Sequence, residues 1–375
     1  DIPFAIQYFL AVVLIIDFRI EELKINKKNI LTLIFYGLIF GFVVLVRFNA
    51  YAFLLLLSFY MFCSNYRSSI KNLNNIFINW FVIYAVSFLI LILLSPSSWN
   101  NPVFWLRGVI ETQFSLDWEG GTLTNGNYIL ATEMQASYLF NWFIYRLPIV
   151  YLLIFLISLI LLLSNNKIKY SSMGRFSLFI IISVFLLFSA FRPVSYDGIR
   201  QYIFLLPFFA VLSSEVFLYL KEKFGKKLYL SFLLLSIIYL IGTQFSLNQY
   251  KYVYFNEFVN EDEITIDCVN IGGCGNWETD YWGYSIKKLL SSVNLNNNLI
   301  YCEPKHIFET YISNEKNFDS SNTIFVASIH RDMNKSLCSS RVYEFKNCEI
   351  YYKEEAMLRM TSINLSYIYK CEENT

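Results

Sequence analysis

The chain has 375 residues, 56% of them hydrophobic, 19% aromatic and only 16% charged, with a mean hydropathy of +0.44. Such a composition excludes an ordinary soluble domain. Thirty basic and 29 acidic residues leave a net charge of +1, so the sequence predicts no polyanion-binding surface and no nucleic-acid partner.

Residue 1 is Asp, set against an apolar segment, with neither Met nor the basic start of a signal peptide. A further upstream segment is therefore expected. Eight apolar runs follow, roughly 3–18, 29–46, 50–63, 76–94, 147–164, 176–191, 201–220 and 228–243. Several are shorter than the ~20 residues that cross a bilayer untilted, and 50–63 is the weakest.

Parity decides whether that run counts. With it, the linkers after runs one, three, five and seven share one side and hold 13 of the 30 Lys and Arg, Lys24, Arg67, Lys167 and Lys221 among them. The opposite linkers hold only Arg47, Arg107, Arg146, Arg192 and Arg200. By the positive-inside rule the first set is cytoplasmic, which predicts eight transmembrane helices and puts Asp1 and the tail outside. The fold class expected is an α-helical polytopic membrane protein with a small α/β extracytoplasmic domain. The body is 1–243 and the tail 244–375.

Within the body, loop 95–147 is aromatic-rich yet too broken for a span. Trp99, Trp105, Trp118 and Trp142 suit an interfacial belt, and 102–114 reads as a short amphipathic helix on the membrane. In the tail, 281–294 reads as a helix and 298–303, 322–329 and 349–353 as strands. Six of the seven cysteines lie there: Cys268, Cys274, Cys302, Cys338, Cys348 and Cys371. An even set in a polar domain predicts disulfides and an oxidising compartment, with fifteen possible connectivities. Zinc is the weaker reading, since no Cys-x-x-Cys pair is present.

Charged residues near the membrane edge are the candidates for chemistry. Asp1 is a cap on the first helix or a carboxylate with a role. Arg47, beside Asn49, either snorkels to headgroups or grips a phosphate with its planar fork. Arg192, Asp197 and Arg200 share one short loop, as an interfacial salt bridge or as a clamp on an anionic leaving group. Asp117 and Glu119 flank Trp118, as exposed loop acids or as a sugar-binding subsite. Asp280, Tyr281 and Trp282 suit a structural role. His306 and His330 sit in the tail, far from these loops, and neither is expected to act as a base.

Six strings in order add to this: DIPF at the start, SPSSWNNP (95–102), SYLFNWFIYRLP (137–148), YDGIRQYIFLLPFFA (196–210), and YKYVYFNEFV (250–259) followed by GNWETDYWGYS (275–285). Together they resemble the C-terminal part of polytopic GT-C class glycosyltransferases, closest to bacterial relatives of dolichyl-phosphate-mannose–protein mannosyltransferases. The resemblance covers essentially the whole chain. It implies sugar transfer from a polyprenyl-phosphate donor to a glycan, lipid or protein acceptor, at the outer face of a bacterial inner membrane. It also implies that the principal carboxylate base lies in a loop ahead of Asp1, so the residues given would be inactive alone. Asp1 is then an accessory carboxylate; Arg200, Arg192 and Arg47 bind the donor phosphate; Asp117, Trp118 and Glu119 meet acceptor or sugar. No cofactor is demanded, and a divalent metal stays open. Two departures stand out: Gln201 occupies a position where His is expected, and Gly272 and Gly273 come late, after the insertion VNEDEITID.

The rival class is a transporter or flippase of lipid-linked sugars, disfavoured because no internal repeat or Gly/Pro-broken midplane helix is visible. A membrane-anchored binding or assembly protein is the third.

Overall fold

The computed structural model describes residues 1–18, 27–64, 70, 72–114, 120–163, 170–264, 275–280, 282–292, 299–301, 305–311, 323–329 and 346–372. Two compact units emerge. Unit 1 comprises Asp1–Trp118, Thr132–Phe140 and Val150–Ser231; unit 2 comprises Glu119–Ala131, Asn141–Ile149 and Phe232–Thr375. The second unit thus takes in two pieces of the long loop that the sequence reading assigned to the membrane body.

The helices are α1 (Ile2–Phe18), α2 (Lys27–Val46), α3 (Ala50–Ser64), α4 (Leu73–Leu93), α5 (Pro102–Phe114), α6 (Tyr138–Arg146), α7 (Ile149–Leu163), α8 (Ser172–Phe191), α9 (Leu206–Leu247), α10 (Glu261–Ile264), α11 (Tyr284–Ser291) and α12 (Lys305–Tyr311). The strands are β1 (Gly121–Thr124), β2 (Asn127–Leu130), β3 (Leu299–Tyr301), β4 (Thr323–Ile329), β5 (Lys346–Leu358) and β6 (Thr361–Glu372). Among the described residues four helices are long and apolar enough to span a membrane: Lys28–Val46, Leu73–Leu93, Ser172–Phe191 and the Arg200–Val253 stretch. There are five if Tyr138–Arg146 and Ile149–Leu161 form one span. The chain is therefore a multi-pass membrane protein. Apolar runs one and three form helices too, of 17 and 15 residues, shorter than these spans. Runs seven and eight are the two halves of α9, broken at Gly225, whose φ of 83° is left-handed.

Unit 1 is apolar on its surface as well as inside. Phe77, Leu186 and Phe191 are strongly exposed, while Tyr8, Phe40, Leu54 and Phe176 are buried. Helices α2 and α4 approach closely because Gly37 and Gly41 face Val86 and Ile90; a Cβ at Gly37 would stand 2.5 Å from Val86 Cβ. Small residues permit this contact where no hydrophobic effect drives helices together. An aromatic nest of Phe4, Tyr8, Phe53 and Phe204 joins α1, α3 and the 3-10 turn Arg200–Leu205, with Phe53 and Phe204 centroids 4.3 Å apart.

Among the described residues unit 2 has two sheets. The β1–β2 hairpin turns on Asn125–Gly126, both with positive φ, the pairing a tight two-residue turn needs. The larger sheet runs β3-β4-β6-β5, with β3 parallel to β4 and the rest antiparallel. Ile286 and Leu289 of α11 pack with Phe308, Ala327 and Ile368 into its core. The helix expected at 281–294 is described over Tyr284–Ser291. The strand expected at 349–353 is longer because β6, which the reading did not foresee, pairs along it. Cys371 is buried on β6 and disulfide-bonded, and its partner lies outside the described side chains. Cys268, Cys274, Cys302 and Cys338 are outside the described residues, and so are His330 and Tyr281.

Candidate functional site

The chemistry in unit 1 gathers where three connections meet. The turn Arg47–Asn49 closes tightly, with Ala50 N–H donating to the Arg47 carbonyl at 3.0 Å. Asp1 caps α1, its carbonyl accepting from Ala5 N–H at 3.0 Å. The loop after α8 is held by polar side chains. Buried Ser195 donates to the Pro193 carbonyl at 3.0 Å and lies 3.2 Å from the Tyr202 hydroxyl, while Gly198 N–H donates to the Tyr138 hydroxyl at 3.1 Å. Asp197 and Gly198 both adopt positive φ, a conformation that Asp tolerates better than most residues.

These supports bring four charges together. Arg47 donates to one Asp1 carboxylate oxygen. Arg200 Nε donates to the other at 2.9 Å, and its Nη1 donates to Asp197 at 2.8 Å. Asp1 and Asp197 are 11% and 4% exposed at their side chains, against 29% and 34% for the arginines. Burial presses Arg47 below its ordinary pKa, and the nearby Arg200 guanidinium adds to this; an arginine starts so high that it stays charged. Asp1 therefore does more than cap α1: it spans two guanidiniums that lie 153 positions apart in sequence, Arg47 and Arg200.

Beside the cluster lies a cavity of about 1230 Å³. Its polar end has Arg47, Asn49, Tyr196 and Gln201; its long flank is apolar, from Leu55 and Phe59 of α3, Phe77 of α4 and Leu187 of α8. Thr112 of α5 also lines it. The arrangement can accept an amphiphile whose anionic head meets guanidinium while its chain lies along apolar side chains.

The other sequence candidates fall differently. Arg192 is exposed and ends α8 in the left-handed conformation, outside the ion-paired set described above. Asp117, Trp118 and Glu119 lie outside the described residues. Asp280 is buried and accepts from Tyr284 N–H and Ser285 N–H, both at 2.9 Å, which anchors the start of α11. Among the described residues no three or more His, Cys, Asp or Glu side chains gather where they would hold a metal ion.

Sequence reasoning missed Arg146. In unit 2 its guanidinium is buried, donates to the carbonyls of Tyr252 (2.6 Å), Tyr254 (3.1 Å) and Glu278 (3.2 Å), and lies 4.0 Å from the Phe255 ring centroid. Asn256 adds side-chain bonds to the carbonyls of Ile144 and Leu147, and Trp142 packs edge-on against Trp277 at 5.2 Å. Three of the strings singled out in the sequence thus lock onto one another. The signal was a lone basic residue inside an otherwise apolar and aromatic stretch. No family model, curated protein or solved structure matches the chain.

Proposed function

We propose that the protein is a polytopic membrane glycosyltransferase of the GT-C type, moving a sugar from a polyprenyl-phosphate carrier to an extracytoplasmic acceptor. The observation that carries this reading is Arg47 at the polar end of the apolar cavity, linked through Asp1 to Arg200. A polyprenyl phosphate has the matching form, one anionic head on a long apolar chain. In this reading an acceptor hydroxyl attacks the anomeric carbon, the bond to the lipid phosphate breaks, and Arg47 and Arg200 hold the departing anion. The hydroxyl's proton passes to a carboxylate base in the loop that the resemblance puts ahead of Asp1. Asp1, with both oxygens on guanidiniums, positions the arginines, and residues 117–119 meet the acceptor or its sugar.

The charge asymmetry of the linkers supports eight spans, with the tail outside the plasma membrane. The even cysteine set supports disulfide pairing there. A thiol probe placed in 221–227 should then react only from the cytoplasm.

The test is binding of undecaprenyl phosphate to the full chain in nanodiscs, followed by turnover of its glycosylated form by the full-length protein. Arg47→Ala and Arg200→Ala should each weaken binding by about 2–3 kcal/mol, roughly 30- to 150-fold, and Arg200→Lys should recover only part. Unchanged affinity in folded variants would refute the assignment. Carrier movement between leaflets without turnover would favour the flippase.

A further inference from the structure

The end of α9 and the tail that follows belong to one unit, and their hydrogen bonds fix the tail's height beside the helix. Tyr239 donates to both carboxylate oxygens of Glu257, at 3.0 and 2.9 Å, and its hydroxyl lies 3.1 Å from that of Tyr254. Segment 254–257 is therefore folded back along the flank of α9 to the level of Tyr239. That level is well below the helix end at Leu247, about 12 Å at 1.5 Å per residue. The apolar surface of α9 continues past it: Ile241 is 62% and Phe245 82% exposed. Lipid must cover these side chains if α9 spans the membrane, so whatever is tied to Tyr239 lies at or beneath the lipid surface.

Two apolar side chains are tied there. Phe258 follows Glu257 directly and is 59% exposed. The turn between β5 and β6 is fastened to the same segment by Arg359, which donates to the Asn256 carbonyl at 3.0 Å and the Val259 carbonyl at 2.6 Å, and pairs with Glu261 at 3.0 Å. Arg359 and Met360 both have positive φ, which closes a tight hairpin and carries Met360 out to 92% exposure at its tip. A methionine so exposed, on a tip clamped by three contacts, has no folding reason within the unit to be apolar.

We propose that the β5–β6 tip and Phe258 are a membrane-contact surface, with Met360 and Phe258 seated in the headgroup layer of the bilayer that α9 crosses. Tyr239, Tyr254 and Glu257 are its polar part, where phenols and a carboxylate suit the interface. The tail is thereby held against the lipid at a second point besides its covalent link to α9. The inference rests on the second half of α9, after Gly225, as a span and is independent of sugar transfer, so either reading can fail without the other.

The test is nitroxide labelling of Met360→Cys and Phe258→Cys in the full chain, in a Cys63→Ser background because Cys63 is a free, exposed thiol. The protein is placed in lipid nanodiscs, and Tyr351→Cys, exposed on β5 and about 30 Å along the hairpin from the tip at ~3.4 Å per residue, serves as reference. Labels at 360 and 258 should be relaxed by oxygen and severalfold less than the reference by a water-soluble nickel chelate. Nickel accessibility equal to the reference would overturn the proposal. Protection from both relaxants would overturn it too, showing that protein, such as a second copy, covers the tip. Because both sites are exposed, the substitutions leave folding intact, and the unlabelled variants should melt as the parent does.

Discussion

Replacing the buried Arg146, at the end of α6, with alanine should loosen unit 2 substantially. The guanidinium supplies three bonds to backbone carbonyls, one short and two near 3.1–3.2 Å, and it stacks over Phe255 at 4.0 Å and Trp142 at 5.1 Å. A hydrogen bond to a charged group contributes about 1.5–3 kcal/mol net, and a desolvated cation–π contact about 1–2. Because the side chain is buried, water does not simply replace it, and three carbonyls would lose their donor together. Non-additivity brings the total to roughly 4–5 kcal/mol. For a domain of ~150–250 residues each kcal/mol shifts the melting temperature by about 2–4 °C, so a drop of roughly 8–20 °C is expected. Arg146→Lys keeps the charge but not the fork, and should fall about halfway. The assay is the loss of near-ultraviolet circular dichroism on heating, to which the Trp142–Trp277 pair contributes. A transition within 2 °C of wild type, on the same scale, would show that the carbonyls are served by other groups and that the three strings are held by ring packing alone.

Gly37→Leu should cost about 1–3 kcal/mol in detergent unfolding, because Val86 Cβ and the Ile83 carbonyl leave no room between α2 and α4. Gly108→Ala on α5, where nothing lies within 4 Å, should instead stabilise that helix by up to ~1 kcal/mol; the opposite order in thermal melts would contradict the packing. The Asp280 carboxyl is pushed above the usual aspartate range by burial, which outweighs the bonds from Ser285, Tyr284 and Gly283. A carboxyl raised in the folded state holds its proton better there, so its contribution is complete below the unfolded value of ~3.9 and is lost as pH rises through the folded value. The melting temperature of unit 2 should therefore fall with rising pH in that window, and Asp280→Asn should flatten the dependence; equal slopes would sink the argument.

The apolar helices were legible because lipid selects on composition: runs at 29–46, 50–63 and 76–94 lie within a few residues of α2, α3 and α4. What apolarity could not say is where one helix stops being one, since Gly225 joins two runs with a single backbone break. The β1–β2 hairpin was missed although Asn125–Gly126 is a strong turn signal, because its strands are only four residues each. The alternation of Ile363, Leu365, Tyr367, Tyr369 and Cys371, all buried, was a readable strand pattern left unread. At the candidate site, membrane side and the family resemblance linked Asp1, Arg47 and Arg200 in the sequence, but neither gave their contact. Their meeting depends on Phe4, Phe53 and Phe204 stacking beneath them, a three-body fit that no spacing rule encodes. Arg200, inside the YDGIR string, was the stronger candidate in sequence and Arg192 the weaker; Arg200 is the one that pairs with Asp1, while Arg192 ends α8 in the left-handed conformation.

The Asp1 bridge gives the cluster an internal occupant. Two arginines and two aspartates leave it neutral, and the guanidinium nitrogens that meet Asp1 and Asp197 are already in use. An anion arriving there trades places with a carboxylate that cannot diffuse away. Such an exchange lowers the net affinity for any head group, because every bond the head group makes to a guanidinium replaces one that Asp1 already made. It also speeds departure, since the tethered competitor reoccupies the arginines as soon as they open. On the reading proposed above, such a site would trade tightness of binding for rapid release of the lipid-borne anion.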